Sequence, residues 1–250
     1  MTKKEKKKST LLYRMILFIL ILIIAFSLYK IGTILYEYHV GTKEYDSVQE
    51  LAGTQAESFT GEVDFDALVK KNKDVKAWIY SKDTVINYPV VQGDDNETYL
   101  HTTYENNYNF AGTIFVDYEN SSDFSDCNTL IYGHNMKNGS MFGNLKKFTE
   151  DQSTYEKSKY FWILTPEKNY RYEIISAYTT GVNSDTYTLF KGPGEEYQNY
   201  LNTIQGYSEI KTEATELTVK DKIVTLSTCT GNEATRFVVQ GKQVNAEPAG

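Results

Sequence analysis

The chain has 250 residues, with 26 Lys or Arg against 33 Asp or Glu and a formal net charge of −7. Its charge is split: residues 1–30 hold seven basic residues and one acid, and the remainder carries 19 basic and 32 acidic residues, a net of −13. That length gives one domain of moderate size plus an appendage, and the acidic main part excludes nucleic acid as the expected partner.

Residues 3–8 are Lys-Lys-Glu-Lys-Lys-Lys, and Met15 to Leu28 is then apolar except for Ser27. Leu11 through Tyr29 gives 19 residues whose only charge is Arg14. That run is long enough to span a bilayer, with Arg14 snorkelling toward the headgroups. The excess of Lys and Arg before it predicts that the N-terminus faces the cytoplasm. A cleaved signal peptide is the alternative, but Tyr29-Lys30-Ile31-Gly32 is a poor cleavage site. The reading is a basic cytoplasmic tail over 1–10, a transmembrane signal anchor over 11–30, a partly helical stalk over 31–60, and a folded exterior domain over 61–250.

Asp64 is placed to cap a short helix opening at Phe65. Val75 to Tyr80 reads as a strand and Ser81 to Asp83 as a turn. Thr84 to Val91 reads as a second strand, where Pro89 implies an edge or a bulge. Gly112 to Asp117 and Asn128 to Tyr132 are further strands, the latter ending at Gly133-His134-Asn135. Ser140 is expected to cap a short helix from Met141 to Phe148. Tyr160 to Leu164 and Tyr170 to Tyr178 read as a hairpin. Glu195 to Gln205 has a helical pattern with Tyr197, Tyr200, Leu201 and Ile204 on one face. Ile223 to Leu226 and Thr235 to Gly241 are the last strands. About eight short strands with few helices predict a mostly β fold, a closed barrel or a sandwich.

Cys229 stands at the end of one strand and Arg236 opens the next. A thiol at a rigid strand terminus, with a fixed cation nearby, can serve as an activated nucleophile. His134 also sits at a strand end and can donate and accept protons. Arg236 stays charged, so its role would be to orient substrate or stabilise an oxyanion. The chemistry-free reading is a small buried Cys, with Cys127 and Cys229 joined in a disulfide that clips a surface binding module. A hydrolytic cysteine peptidase using the same residues is a third reading. No metal-ligand cluster, phosphate loop or dinucleotide fingerprint is visible, so no cofactor is expected.

Thr225-Leu226-Ser227-Thr228-Cys229 followed by Arg236 resembles the Thr-Leu-x-Thr-Cys…Arg signature of sortases. Tyr132-Gly133-His134-Asn135-Met136 resembles the sortase histidine motif. Ala77-Trp78-Ile79, Ile86 to Gly93 and Gly139-Ser140-Met141-Phe142 are similar to class B sortases in particular. The likeness runs from about Asp64 to Val244.

The resemblance implies an eight-stranded sortase-type β-barrel and a membrane-anchored cysteine transpeptidase of a Gram-positive surface. It implies that Cys229 attacks the carbonyl after Thr in a C-terminal sorting motif and forms a thioester. It further implies that His134 protonates the leaving tail, that Arg236 assists, and that a cell-wall precursor amine resolves the thioester. Its expected partners are surface proteins carrying the sorting motif and that amine. On matched positions, Asn96, Leu100, Tyr132 and Ser227 correspond to residues lining the class B substrate groove. The Glu195–Gln205 segment resembles the class B insertion between two late strands. The loop from Thr230 to Thr235 is shorter than in some class B members, and that loop helps shape the groove. Calcium, used by some sortases, has no readable site, and Cys127 matches no catalytic position.

Overall fold

The computed structural model describes residues 3–54, 61–213 and 216–249, with side chains from Leu11 onward. Two compact units are present, residues 1–43 and 44–250. Helix α1, Lys3–Ala52, contributes to both. Its apolar part reaches a mean hydropathy of 2.7, and among the described residues it is long and apolar enough to cross a membrane. Leu11 through Leu28 exposes its large apolar side chains. Within the stretch read as a stalk, Tyr45, Val48 and Ala52 are buried on one face of α1, a helical stripe at three- and four-residue spacing. Residues 55–60, the end of that stretch, lie outside the described residues.

The second unit is a closed barrel of eight strands. They are β1 (Val75–Tyr80), β2 (Asn87–Val91), β3 (Ile114–Val116), β4 (Asn128–Tyr132), β5 (Tyr160–Leu164), β6 (Lys168–Gly181), β7 (Ile223–Cys229) and β8 (Thr235–Pro248). Around the barrel the order is β1-β2-β3-β4-β7-β8-β6-β5, closing β5 onto β1. The β2–β3 and β4–β7 pairs are parallel and the rest antiparallel. Closure leaves no open sheet edge for another chain to extend. Of the barrel and sandwich expected from the sequence, the barrel is the one formed.

The local elements follow residue chemistry. Helix α2, Phe65–Lys71, is capped by Asp64, whose carboxylate accepts the Ala67 N–H at 2.8 Å. The β5–β6 hairpin pairs Leu164 with Asn169 across its turn. Helix α5, Glu195–Tyr207, buries Tyr197, Tyr200, Leu201 and Ile204 against the Cys127 end of β4 and the Ile223 end of β7. Each such side chain contributes about 1.5–3 kcal/mol by leaving water.

Two expectations are corrected. Thr84 to Ile86 is turn rather than strand: Ser81 N–H donates to Ile86 O at 2.9 Å, and the Thr84 hydroxyl bonds Ser81 O at 2.8 Å. Strand β2 therefore starts at Asn87. Its Pro89 lies outside the stretch paired with β3, which covers only Val90 and Val91, and the bulge falls in β1 between Val75 and Ala77. The second correction is the helix expected from Met141 to Phe148. Met141 has φ +53° and bridges Asn135, so residues 139–146 form turns, and helix α3 begins at Lys147 (Lys147–Glu150), with α4 (Gln152–Lys157) after it. The Ser140 hydroxyl bonds Asn138 Oδ1 and caps no helix.

Candidate active site

Parallel pairing of β4 with β7 sets the site. Tyr132 lies opposite Ser227, so both strands end on the same rim of the barrel. Gly133 N–H extends the ladder by donating to Ser227 O at 3.1 Å. His134 follows one residue later, and Cys229 is the last residue of β7. Antiparallel β8 returns from the same rim with Arg236 directly opposite Cys229. Three residues separated by 95 and 7 positions in the chain thus meet at one end of the sheet.

They open on one cavity of about 290 Å³. Cys229, His134 and Arg236 line it, together with Asn96, Leu100, Tyr132 and Ser227. All seven residues singled out from the sequence are therefore in its wall. Phe115, Gly133 and Thr228 complete the lining.

His134 is held from several sides. Its Nε2 lies 2.7 Å from the Leu100 carbonyl oxygen. A carbonyl can only accept, so Nε2 carries the proton and Nδ1 is the nitrogen left to take one. The His101 ring stacks on it at 5.9 Å between centroids. Burial pushes the imidazole below its usual value; the Leu100 bond opposes that, and the neighbouring His101 adds to it. Just before it, Gly133 is required by packing: a Cβ there would lie 2.6 Å from the buried Phe142 ring.

The other side chains are also fixed. Arg236 Nη1 donates to Glu233 O at 3.1 Å and Thr235 O at 2.9 Å, which orients the guanidinium. Tyr132 hydroxyl and Asn96 Nδ2 both donate to Asp117 Oδ2, each at 2.9 Å. Burial, reinforced by the Asp117 charge, drives the Tyr132 phenol up, so it stays a donor. The buried Ser227 hydroxyl is engaged with Tyr187 Oη at 2.9 Å. Thr228 Oγ1 is buried in the wall without a hydrogen-bond partner among the described residues.

Sequence reasoning missed Asn135, Asp117 and Tyr187. Asn135 Nδ2 donates to the Cys229 carbonyl at 2.7 Å and ties the histidine segment to the cysteine strand. Its only sequence signal is adjacency to His134. Asp117 was legible as a strand end, but not as the acceptor shared by two pocket residues.

The disulfide reading does not survive the topology. Both thiols are free. Asn128 pairs with Ile223, so Cys127 flanks the start of β7 while Cys229 ends it. Seven residues of strand, roughly 20 Å, separate them, against less than about 7 Å between the Cα atoms of a bridged pair.

The family model of the Sortase domain matches residues 79–244. The chain belongs to the sortase family. Sortase B of Listeria monocytogenes is 38% identical over 228 residues, covering 88% of this chain and 91% of that protein. Sortase B of Staphylococcus aureus is 36% identical over 179 residues, covering 70% and 72%. A crystal structure of Bacillus anthracis sortase B in complex with AAEK1 superimposes with a TM-score of 0.74 at 36% identity, covering 85% of this chain and all of that one. The Staphylococcus aureus sortase B–substrate complex gives 0.73 at 31% identity, covering 84% and 99%. Within the sortases the chain is of class B, and it is a cysteine transpeptidase.

Proposed function

We propose that this sortase cleaves a C-terminal sorting motif after Thr and transfers the surface protein to a cell-wall amine. In this reading Cys229 is the nucleophile. Neutral His134 takes the thiol proton through Nδ1 and the thiolate attacks the Thr carbonyl. The tetrahedral intermediate's oxyanion is met by the Arg236 guanidinium. Collapse breaks the peptide bond, and His134 returns its proton to the leaving amine, leaving a thioester on Cys229. An incoming amine then attacks the thioester and loses a proton to His134, and the thiolate leaves. Asn96, Leu100, Tyr132 and Ser227 shape the groove for the motif. Helix α1 anchors the chain in the membrane with its N-terminus cytoplasmic and the barrel outside.

The observation that carries this reading is the convergence of Cys229, His134 and Arg236 on one cavity, the first two at the ends of parallel strands. The test is mass spectrometry of products from a library of sorting-motif peptides mixed with candidate amines, such as oligoglycine and diaminopimelate peptides. Ligated product carrying the new amine after Thr is expected. Hydrolysed peptide alone, whatever amine is supplied, contradicts transfer.

The protonation state of His134 sets a pH limit. The imidazole must be neutral to accept the thiol proton, and burial makes it harder to protonate. As pH falls, activity should therefore persist beyond the point where an exposed histidine is half charged. The acid limb of kcat/KM is expected below about pH 6.5, the ordinary histidine value. An acid limb above that value contradicts the assignment of His134 as the base.

A further inference from the structure

Two segments hold His134, and both trace back to one residue of α1. The first is the connection between β2 and β3, whose Leu100 carbonyl takes the His134 Nε2 proton. The second is the turn after His134, where Phe142 N–H donates to His134 O at 3.1 Å and Met141 bridges Asn135.

Tyr45 touches both. Its hydroxyl donates to Gly112 O at 2.5 Å and lies 3.3 Å from Thr113 Oγ1. Gly112, at φ +54°, is packed so tightly on the Leu100 carbonyl that a Cβ there would sit 2.5 Å from that oxygen. Thr113 N–H donates to Tyr99 O at 3.0 Å, and its hydroxyl to Thr102 O at 2.8 Å. The hydroxyl of Tyr45 thus pins the strip of backbone that positions the Leu100 carbonyl. The Tyr45 ring meets the Tyr88 ring edge-on at 5.5 Å and 85°. Tyr88 Oη accepts the N–H of Met141 at 3.2 Å. Met141 holds a left-handed conformation that a side-chain-bearing residue rarely adopts, and this hydrogen bond supports it.

Neighbouring residues of α1 reinforce both routes. Buried Glu44 accepts Glu105 N–H at 2.9 Å and Asn107 Nδ2 at 3.2 Å, farther along the same connection. Gln49 Nε2 donates to Asn87 O at 2.8 Å, next to Tyr88.

We propose that Tyr45 is a positioning residue for His134, holding through its hydroxyl and its ring the two segments that fix the imidazole. Tyr45 never touches the reacting atoms. It acts by keeping the Leu100 carbonyl on Nε2, so that Nδ1 is always the nitrogen that exchanges protons. The proposal rests on the reading of His134 as the acid–base group, and the test separates the two.

The experiment uses the full-length chain in detergent micelles, with Tyr45→Phe and, as a control, Val48→Ala. Val48 is fully buried on the same helix, so its truncation destabilises the packing without removing a hydrogen bond to either segment. The readouts are steady-state kinetics, Tm, and 15N spectra of the histidine rings, which number three in the chain. The wild-type protein is expected to show His134 as the single Nε2–H tautomer. Tyr45→Phe is expected to mix in the Nδ1–H form and to lower kcat about tenfold, with KM for the peptide little changed, as misplacement of a reacting group does. Val48→Ala is expected to lower Tm while leaving the tautomer intact. A wild-type tautomer in Tyr45→Phe overturns the proposal. So does an equal tautomer shift in Val48→Ala, because that reports general loosening. A tautomer shift in Tyr45→Phe alone with unchanged kcat supports the positioning and counts instead against His134 as the acid–base group.

Discussion

Cys229→Ala is expected to reduce transpeptidation of a sorting-motif peptide to background, a loss of at least about 10⁴-fold. The methyl group leaves nothing to carry the acyl chain, and neither His134 nor Arg236 can replace a nucleophile. Cys127→Ala is expected to leave turnover unchanged. Cys127 lies at the far end of β7 from the cavity, packed against α5 with Tyr197, Leu201 and Ile204. Burial pushes its thiol up, so it remains protonated and unreactive. Its removal costs packing alone, about 1 kcal/mol of stability. Activity assays and a Tm for each variant check the contrast. An equal loss of activity in the two variants would sink the assignment of Cys229 as the sole nucleophile.

Arg236→Lys is expected to lower kcat about 10²-fold, the scale of losing one oxyanion donor. The charge survives this change, so the loss isolates geometry. The guanidinium spends Nη1 on Glu233 O and Thr235 O, which leaves donors on a rigid fork aimed by those two bonds. A lysine ammonium is a single point on a flexible stem and cannot be braced and donate forward at once. KM for the peptide should move less than kcat, because the oxyanion exists only beyond the ground state. A near-normal kcat in this variant removes Arg236 from transition-state stabilisation.

The barrel was legible in the sequence wherever a strand is a short β-branched run between turn residues. Val75–Tyr80 and Asn128–Tyr132 are read with their observed bounds. Helix α5 was legible because its four buried residues recur on one face, and α2 because Asp64 sits where a cap must. What escaped depends on contacts far along the chain. The turn at Met141 is held in a left-handed conformation by Tyr88, 53 positions earlier, so local pattern read it as helix. The burial of Tyr45 is equally non-local, since its partners are Gly112 and Tyr88.

The candidate site divides the same way. Seven of its ten wall residues could be named one by one from the chain, five inside the cysteine and histidine motifs and Asn96 and Leu100 by matched position. Their mutual placement could not, because it follows from β4 and β7 pairing in parallel across 90 residues of intervening chain. Nor could the groups that brace them. Asp117 joins Asn96 to Tyr132, Tyr187 holds Ser227, and Asn135 holds the Cys229 carbonyl. Each is an ordinary polar residue whose partner is set by the barrel register and by no spacing in the sequence.

The most direct test of a thiol-borne acyl group is intact-mass analysis of the full-length chain incubated with a sorting-motif peptide in the absence of any amine, followed by peptide mapping. One acyl adduct should appear, on the tryptic peptide containing Cys229, and it should vanish as ligated product forms when an amine is added. An enzyme that turns the peptide over with no adduct, or with the acyl group on any other residue, contradicts the account.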